Sequence, residues 1–258
     1  MGTLDGKVAV ITGATSGIGA AVARLFVAEG AWVVIGGRRE EMGEALAREL
    51  GGPASFRRTD VTVEADVEAL VGHAVDEYGR LDVMVNSAGG PGHWEGVADI
   101  DLEVFQSVLS AHLGGVVLGT KYAARAMVPR RSGTIINLAS TSGHLAGWCG
   151  PDHSTAKAAV LHFTRCAAVE LGERGIRVNS VSPGVVPSGV CDYQPIRRTG
   201  TAEDVAAAAL WLAGDATGLA NGHDLALDEG ISAGRSGSVS VSRAECAGLT
   251  TASGRARP

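Results

Sequence analysis

A strand, a glycine-rich turn and a helix follow one another at the start of the chain, and this order constrains the fold more than any other feature. Lys7 to Thr12 (KVAVIT) is a short apolar, β-rich run, Thr12 to Gly19 reads TGATSGIG, and Ala20 to Glu29 is amphipathic. Gly13, Gly17 and Gly19 let the backbone turn tightly and approach a pyrophosphate, while the helix start supplies free N–H groups and a positive dipole end. A glycine triplet alone is weak evidence; here the strand before it and the helix after it supply the context that the motif needs.

The same alternation continues. Ala31 to Ile35 (AWVVI) reads as a second strand, and Glu40 to Leu50 as a helix stopped by Gly51-Gly52-Pro53. Ser55 to Arg58 is the next strand, and Val63, Val67, Leu70, Val71, Ala74, Val75 and Tyr78 form one apolar helical face. Strands follow at Thr134 to Leu138, Arg177 to Val181 and Asp224 to Leu227, and Thr201 with Asp204 signals the cap of a helix over Ala202 to Ala213. Strands alternating with helices predict an α/β fold, doubly wound (Rossmann), whose mainly parallel sheet opens a ligand crevice at the strands' carboxyl ends.

At 258 residues and 45% hydrophobic, the chain suits one domain, placed at residues 1–234. From Arg235 to the end it turns to Ser, Gly, Ala and Arg without periodicity and reads as a disordered tail. A net charge of −6 argues against a nucleic-acid partner. No apolar run comes near the roughly 20 residues that cross a bilayer, so no membrane partner and a cytoplasmic location are expected. Cys149, Cys166, Cys191 and Cys246 are scattered without a C-x-x-C pair, which suits free thiols. No ligand spacing recurs among His93, His112, His144 and His153, so no metal is expected, although all four fall in segments that should rim one cleft.

Chemistry concentrates in Asn137 to Lys157, NLASTSGHLAGWCGPDHSTAK. It reads as a strand end, a loop opening with Ser140, and a helix on which His153 and Lys157, four apart, share one face. The stretch resembles the catalytic segment of the classical short-chain dehydrogenase/reductase family, a Ser followed further on by Tyr-x-x-x-Lys. Ser140 and Lys157 fit, whereas His153 stands where the tyrosine would be, in HSTAK rather than YSASK. The resemblance runs over residues 5–234 through TGATSGIG, LDVMVNSAG (Leu81 to Gly89) and RVNSVSPG (Arg177 to Gly184). It implies a seven-stranded sheet with helices on both faces, a nicotinamide cofactor, a small-molecule substrate, and a homodimer or homotetramer.

By the same resemblance Gly13, Ser16, Gly17, Ile18 and Gly19 take the pyrophosphate, and Asp60 and Val61 touch the adenine. Asn86, Ala88 and Gly89 lead from a central strand into the cleft, Lys157 holds the ribose, and Pro183, Gly184, Val186 and Ser188 close over the nicotinamide. His112 replaces the family's asparagine in a proton relay; in the bland alternative it is a core histidine bonded to a carbonyl. Two short lid helices of the family reduce here to about Val185 to Pro195. His93, Trp94, His144, Trp148 and Tyr193 are weaker candidates for the substrate pocket. At the end of the second strand Gly37 stands where an acid would bond a ribose 2′-OH, and Arg38, suited to a 2′-phosphate, follows; NADP(H) is expected over NAD(H).

The family's Lys favours ionisation of a phenol whose ordinary pKa is about 10, but next to histidine the same charge favours the neutral imidazole. Neutral His153 is a base more than an acid, which favours alcohol oxidation. Its shorter reach matters, because a misplacement of ~1 Å can cost ~100-fold. Three readings follow. The first is an NADP-dependent oxidoreductase acting on an alcohol or carbonyl of a small or polycyclic substrate, with Ser140, His153, Lys157 and His112 as its catalytic set. The second is a redox-neutral isomerase, dehydratase or cyclase using His153 and His112. The third is a non-catalytic protein that keeps the cofactor site.

Overall fold

A computed structural model describes residues 2–184, 195–196 and 198–234. The strands are β1 (Val8–Thr12), β2 (Trp32–Gly37), β3 (Ala54–Arg58), β4 (Val83–Asn86), β5 (Gly133–Leu138), β6 (Ile176–Pro183) and β7 (Asp224–Leu227). All pair in parallel, in the order β3-β2-β1-β4-β5-β6-β7. The chain moves outward from β1 to β3, returns, and builds the other half from β4 to β7. The crevice therefore opens between β1 and β4, where the order reverses. There Thr12 lies opposite Asn86, so the glycine turn after β1 faces the segment after β4.

The inner strands are buried on both faces, as their continuous apolar runs require. Alternate residues serve opposite layers. Ile11, Ile35, Val85 and Ile136 pack with Phe26 of α1 (Gly17–Ala28) and Leu212 of α7 (Ala202–Ala213). Val10, Val34, Met84 and Ile135 pack with Leu70 of α3 (Glu64–Tyr78) and with Tyr122 and Met127 of α5 (Gly115–Met127). The helix α2 (Glu40–Leu50) lies beside β3, and α6 (Pro151–Gly172) carries the chemistry-rich segment.

Several boundaries differ from the sequence reading. The second strand continues past Ile35 through Gly36 and Gly37, because β3 offers partners in Arg57 and Arg58. The first helix begins at Gly17, inside the glycine turn. Val63 is the N-cap of α3, 46% exposed, and does not belong to the apolar face that Val67, Leu70, Val71 and Ala74 bury. The capping box of Thr201 and Asp204 forms as expected, each side chain accepting the other's backbone N–H.

The expectation that no apolar stretch nears membrane-spanning length is corrected. Helix α4 (Leu102–Leu109), a π turn (Ser110–Gly114), α5 and a 3₁₀ turn (Val128–Arg130) run continuously over Leu102–Arg130, 29 residues whose most apolar window has a mean hydropathy of 1.3. Here that helix packs through its inner face on α3, β4 and α6. Of the cysteines, Cys149 and Cys166 are free thiols; Cys191, Cys246, the tail and most of the short lid lie outside the described residues.

Asn86 and Asn137 form a buried ladder across the sheet's centre. Asn86 Nδ2 donates to Asn137 Oδ1 at 2.9 Å, and Asn137 Nδ2 to Thr164 Oγ1 of α6 at 3.0 Å. Gly119 of α5 lies so close that a Cβ there would run into Asn86 Oδ1 and Met84 Cε. Gly119→Ala should thus destabilise by about 1–3 kcal/mol through overpacking. Gly72→Ala, mid-helix in α3 with nothing within 4 Å of its Cβ position, should stabilise by about 0.5–1 kcal/mol. Urea unfolding of both variants checks the pair; equal effects would show that Asn86 is not held as described.

Candidate active site

The strand end after β5 builds the site. Ser140 caps a short 3₁₀ turn (Thr141–Gly143), its Oγ accepting the Ser142 N–H at 3.2 Å. The turn rests on α6 so closely that a Cβ on Gly143 would come within 2.8 Å of the Lys157 backbone. From the other side Thr141 Oγ1 donates to buried Asp228 at 3.2 Å, and Asp228 also accepts the N–H groups of Gly230 and Ser232. The turn is thereby clamped between α6 and the segment after β7.

This clamping brings three side chains into line. Ser142 Oγ lies 3.0 Å from Ser140 Oγ and 3.0 Å from His153 Nδ1, and Ser142 is only 4% exposed. His153 thus meets Ser142, not Ser140 directly. Lys157, one turn on and 6% exposed, donates from Nζ to the Leu138 carbonyl at 2.6 Å. His112 enters from the π turn, its ring edge-on to His153 with centroids 5.0 Å apart. Its Nε2 accepts the Gly90 N–H at 3.1 Å, so the neutral ring carries its proton on Nδ1. That buried Nδ1 has no partner among the described residues.

Electrostatics follow from burial. Burial pushes the Lys157 ammonium down to about 8. Burial first, and then the Lys157 charge, hold His112 down at about 3 and His153 at about 4. At neutral pH both rings are therefore uncharged. Asp152, immediately before His153, is a buried carboxylate. Burial works to raise its pKa, but the N–H groups of His93 and His153 and the His93 ring outweigh that and hold it below the usual range. Its Oδ2 accepts the His93 N–H at 2.9 Å and lies 3.2 Å from His93 Nδ1.

The glycine turn and its neighbours form a second half of the cleft. A Cβ on Gly13, whose φ is +70°, would fall 2.6 Å from the Ala88 Cα, so the absence of one lets the two backbones meet. Ser87 and Ala88 both donate N–H bonds to Thr12 Oγ1. Gly89 lies under the His112 ring, 2.6 Å from its Cε1 to a Cβ position. The bare backbones of Gly13, Ala88 and Gly89, the α1 N-terminus at Gly17–Gly19 and the unpartnered His112 Nδ1 make a cradle that fits a dinucleotide. Arg39, rather than Arg38, folds over the turn and donates to Thr15 Oγ1 and Ser16 Oγ. Arg38 is exposed and acts on Asp60 electrostatically. Burial tends to raise the Asp60 pKa, but Thr62, Arg38 and Arg58 together hold it below the usual range.

Other expected residues are sorted by the same geometry. Val61 is buried against Gly115, and Ile18 packs on the core beneath the turn. Asn86 is corrected from a cleft residue to a structural one, 2% exposed within the amide ladder. Pro183 is buried at the β6 end, and Gly184 donates its N–H to Leu227 O. His144 turns toward β7, with Nε2 2.8 Å from Asp224 Oδ2, so the four histidines do not rim one cleft. Trp94 is 72% exposed and Trp148 half-buried. Val186, Ser188 and Tyr193 lie outside the described residues. Ser142, Asp152 and Arg39 escaped the sequence reading. Standing within two residues of Ser140, His153 or Arg38 was the only signal they carried.

A dinucleotide cradle beside a Ser, His and Lys cluster narrows the chain to cofactor-dependent chemistry. The profile of the family described as "Enoyl-(Acyl carrier protein) reductase" matches residues 13–232. The chain is 44% identical over 250 residues to momilactone A synthase of Oryza sativa subsp. japonica, covering 89% of this chain and 91% of that protein. It is also 44% identical to the mitochondrial borneol dehydrogenase of Lavandula x intermedia (89% and 92% covered). Identity is 38% to secoisolariciresinol dehydrogenase of Forsythia intermedia (89% and 90%). The chain belongs to the short-chain dehydrogenase/reductase family, whose members use a nicotinamide cofactor.

The depressed histidines couple stability to pH. Their folded pKa values lie below the unfolded 6.5, so the unfolded chain binds more protons, and stability is complete above pH 6.5 and falls as pH drops toward 4 and 3. For buried His112 the loss is about 1.4 kcal/mol per pH unit within that window. His112→Asn, which keeps an acceptor for Gly90, should flatten the acid side of a plot of Tm against pH; an unchanged slope would mean that His112 is not buried and neutral.

Proposed function

We propose that the protein is an NADP(H)-dependent oxidoreductase that interconverts a secondary alcohol and a ketone on a bulky, polycyclic terpenoid-like substrate, with His153 in the tyrosine's role. The observation that carries this is the hydrogen-bonded row of Ser140, Ser142 and His153 beside buried Lys157, next to the dinucleotide cradle. Support for the substrate class comes from relatives named for borneol and momilactone A, and from Trp94, Val97 and Leu102, exposed on the segment following β4.

A bound nicotinamide would supply the hydride acceptor or donor. It would be held by Gly13, Ser16, Gly17, Ile18 and Gly19 at the pyrophosphate, Asp60 and Val61 at the adenine, Ala88, Gly89 and Lys157 near the ribose, and Pro183 and Gly184 beyond. Ser140 holds the substrate oxygen. His153, neutral because buried and next to Lys157, removes a proton more readily than it gives one, which favours alcohol oxidation. Lys157 spends one proton on Leu138 O and keeps two for a ribose hydroxyl. His112 Nδ1–H remains a donor in the cleft.

The NADP(H) preference rests on the β2 end. A Cβ on Gly37 would meet Thr15 Cγ2 at 2.6 Å, so an acid there is crowded, and Arg39 holds its guanidinium against Ser16 Oγ while Arg38, exposed, acts on Asp60. An assembly of two or four copies belongs to the same reading, with Val117 and Val169 left exposed on α5 and α6. One observation favours a redox-neutral isomerase, dehydratase or cyclase instead: two neutral imidazoles stand 5.0 Å apart.

Borneol and camphor, each with NADP or NAD, provide the test. Borneol should raise absorbance at the reduced-nicotinamide band with NADP, and His153→Ala should lower kcat by about 100-fold or more. Arg38→Leu combined with Arg39→Leu should weaken NADPH binding by tenfold or more while leaving NADH binding unchanged. Conversion of substrate without any change in nicotinamide oxidation state would replace this reading with the redox-neutral one.

A further inference from the structure

We infer that Ser142 is a proton-relay residue, through which His153 acts on a substrate oxygen that it does not itself touch. This rests on the reading of His153 as the acid/base group and names the path that group uses. An imidazole stops short of where a tyrosine hydroxyl would reach, and the structure shows what stands in the gap. Ser142 Oγ is 3.0 Å from His153 Nδ1 on one side and 3.0 Å from Ser140 Oγ on the other. Ser140 is the more exposed of the two serines, at the strand end that faces the cleft, while Ser142 is buried at 4%. A hydroxyl both donates and accepts, so the row can be polarised in either direction. The Ser142 backbone also donates to Ser140 Oγ, fixing the spacing between the two serines.

In the oxidising direction the substrate hydroxyl gives its proton to Ser140 Oγ, Ser140 passes its own to Ser142 Oγ, and Ser142 passes its own to His153 Nδ1. The carbon's hydrogen leaves with its electron pair as hydride to an oxidised nicotinamide, and the C–O bond becomes C=O. Reduction runs the same row backwards. Before oxidation His153 must carry its proton on Nε2, leaving Nδ1 as acceptor. The groups that act on this ring are Lys157 and Asp152 on its own helix and His112 from the π turn; His93 lies beyond Asp152, and Cys149 touches Ser142 from the loop before α6.

The test uses the whole chain with borneol and NADP, and ¹⁵N NMR of histidine-labelled protein without substrate. Ser142→Ala should lower kcat by about 100-fold, with NADPH affinity unchanged as proof of folding, and Ser142→Thr should recover activity to within about tenfold. The multi-proton solvent isotope effect of the wild type should disappear in the Ala variant. In the NMR arm the wild-type ring should be protonated at Nε2, and Ser142→Ala should shift the His153 Nδ1 signal toward an unbonded nitrogen. A wild-type ring protonated at Nδ1, an unmoved Nδ1 signal, or an undiminished kcat in Ser142→Ala each overturns the relay. If the wild type turns over neither borneol nor camphor, the substrate reading fails separately, and the relay stands or falls on the His153 tautomer and the Nδ1 shift.

Discussion

Burying the Lys157 ammonium is the constraint on which the rest of the site depends. Its Nζ is held by the Leu138 carbonyl at the end of β5, and this bond fixes α6 to the sheet. A charge inside a protein must be paired or hydrogen-bonded, and it reshapes the protonation of whatever lies near it. Here the neighbours are two imidazoles, and both stay neutral. Burial is the larger cause, and the same ammonium that would help a tyrosine to ionise adds to it. In the proposed reading of His153, the preference shifts from acid to base while the scaffold is left alone.

Close backbone approaches bring the other components to that lysine. Gly13 lets the first turn reach Ala88, Gly89 makes room for the His112 ring, and a Cβ on Gly92 would come within 2.5 Å of His153 Cβ. The long helix carries a π turn at Ser110–Gly114, and His112, within it, is buried. Its Nε2 is engaged by Gly90 and its Nδ1–H has no partner among the described residues, a cost of about 1–3 kcal/mol that a bound group can recover. Such unpaired buried donors gather where ligands bind.

Much of this was legible beforehand. A doubly wound, mainly parallel sheet with its crevice at the strands' carboxyl ends, and the capping box of Thr201 with Asp204, follow from period, glycine spacing and local capping rules, while the count of seven strands came from the family resemblance. Ser140, His153 and Lys157 were legible because two lie four apart on one helix, the third opens the preceding loop, and the stretch resembles the family's catalytic segment. His144 misled, since nothing in its neighbourhood reveals that Asp224, on the last strand, will take its ring. Asn86 misled likewise, because a strand-end amide looks the same whether it faces a cleft or another amide. The apolar length of Leu102–Arg130 was missed in the sequence reading.

Local rules in the sequence determined the elements, their order and the place of the crevice, since each depends on residues near one another in the chain. Only the tertiary structure decided which hydroxyl meets His153, which arginine covers the glycine turn, and which nitrogen of His112 holds its proton. Those contacts join residues brought together by packing, across a turn clamped between α6 and Asp228, and their distances depend on how the layers settle. Ser142 carries no mark in the sequence beyond standing two residues after Ser140. Its position between that serine and His153 exists only once the strand end, the turn and the helix have closed on one another.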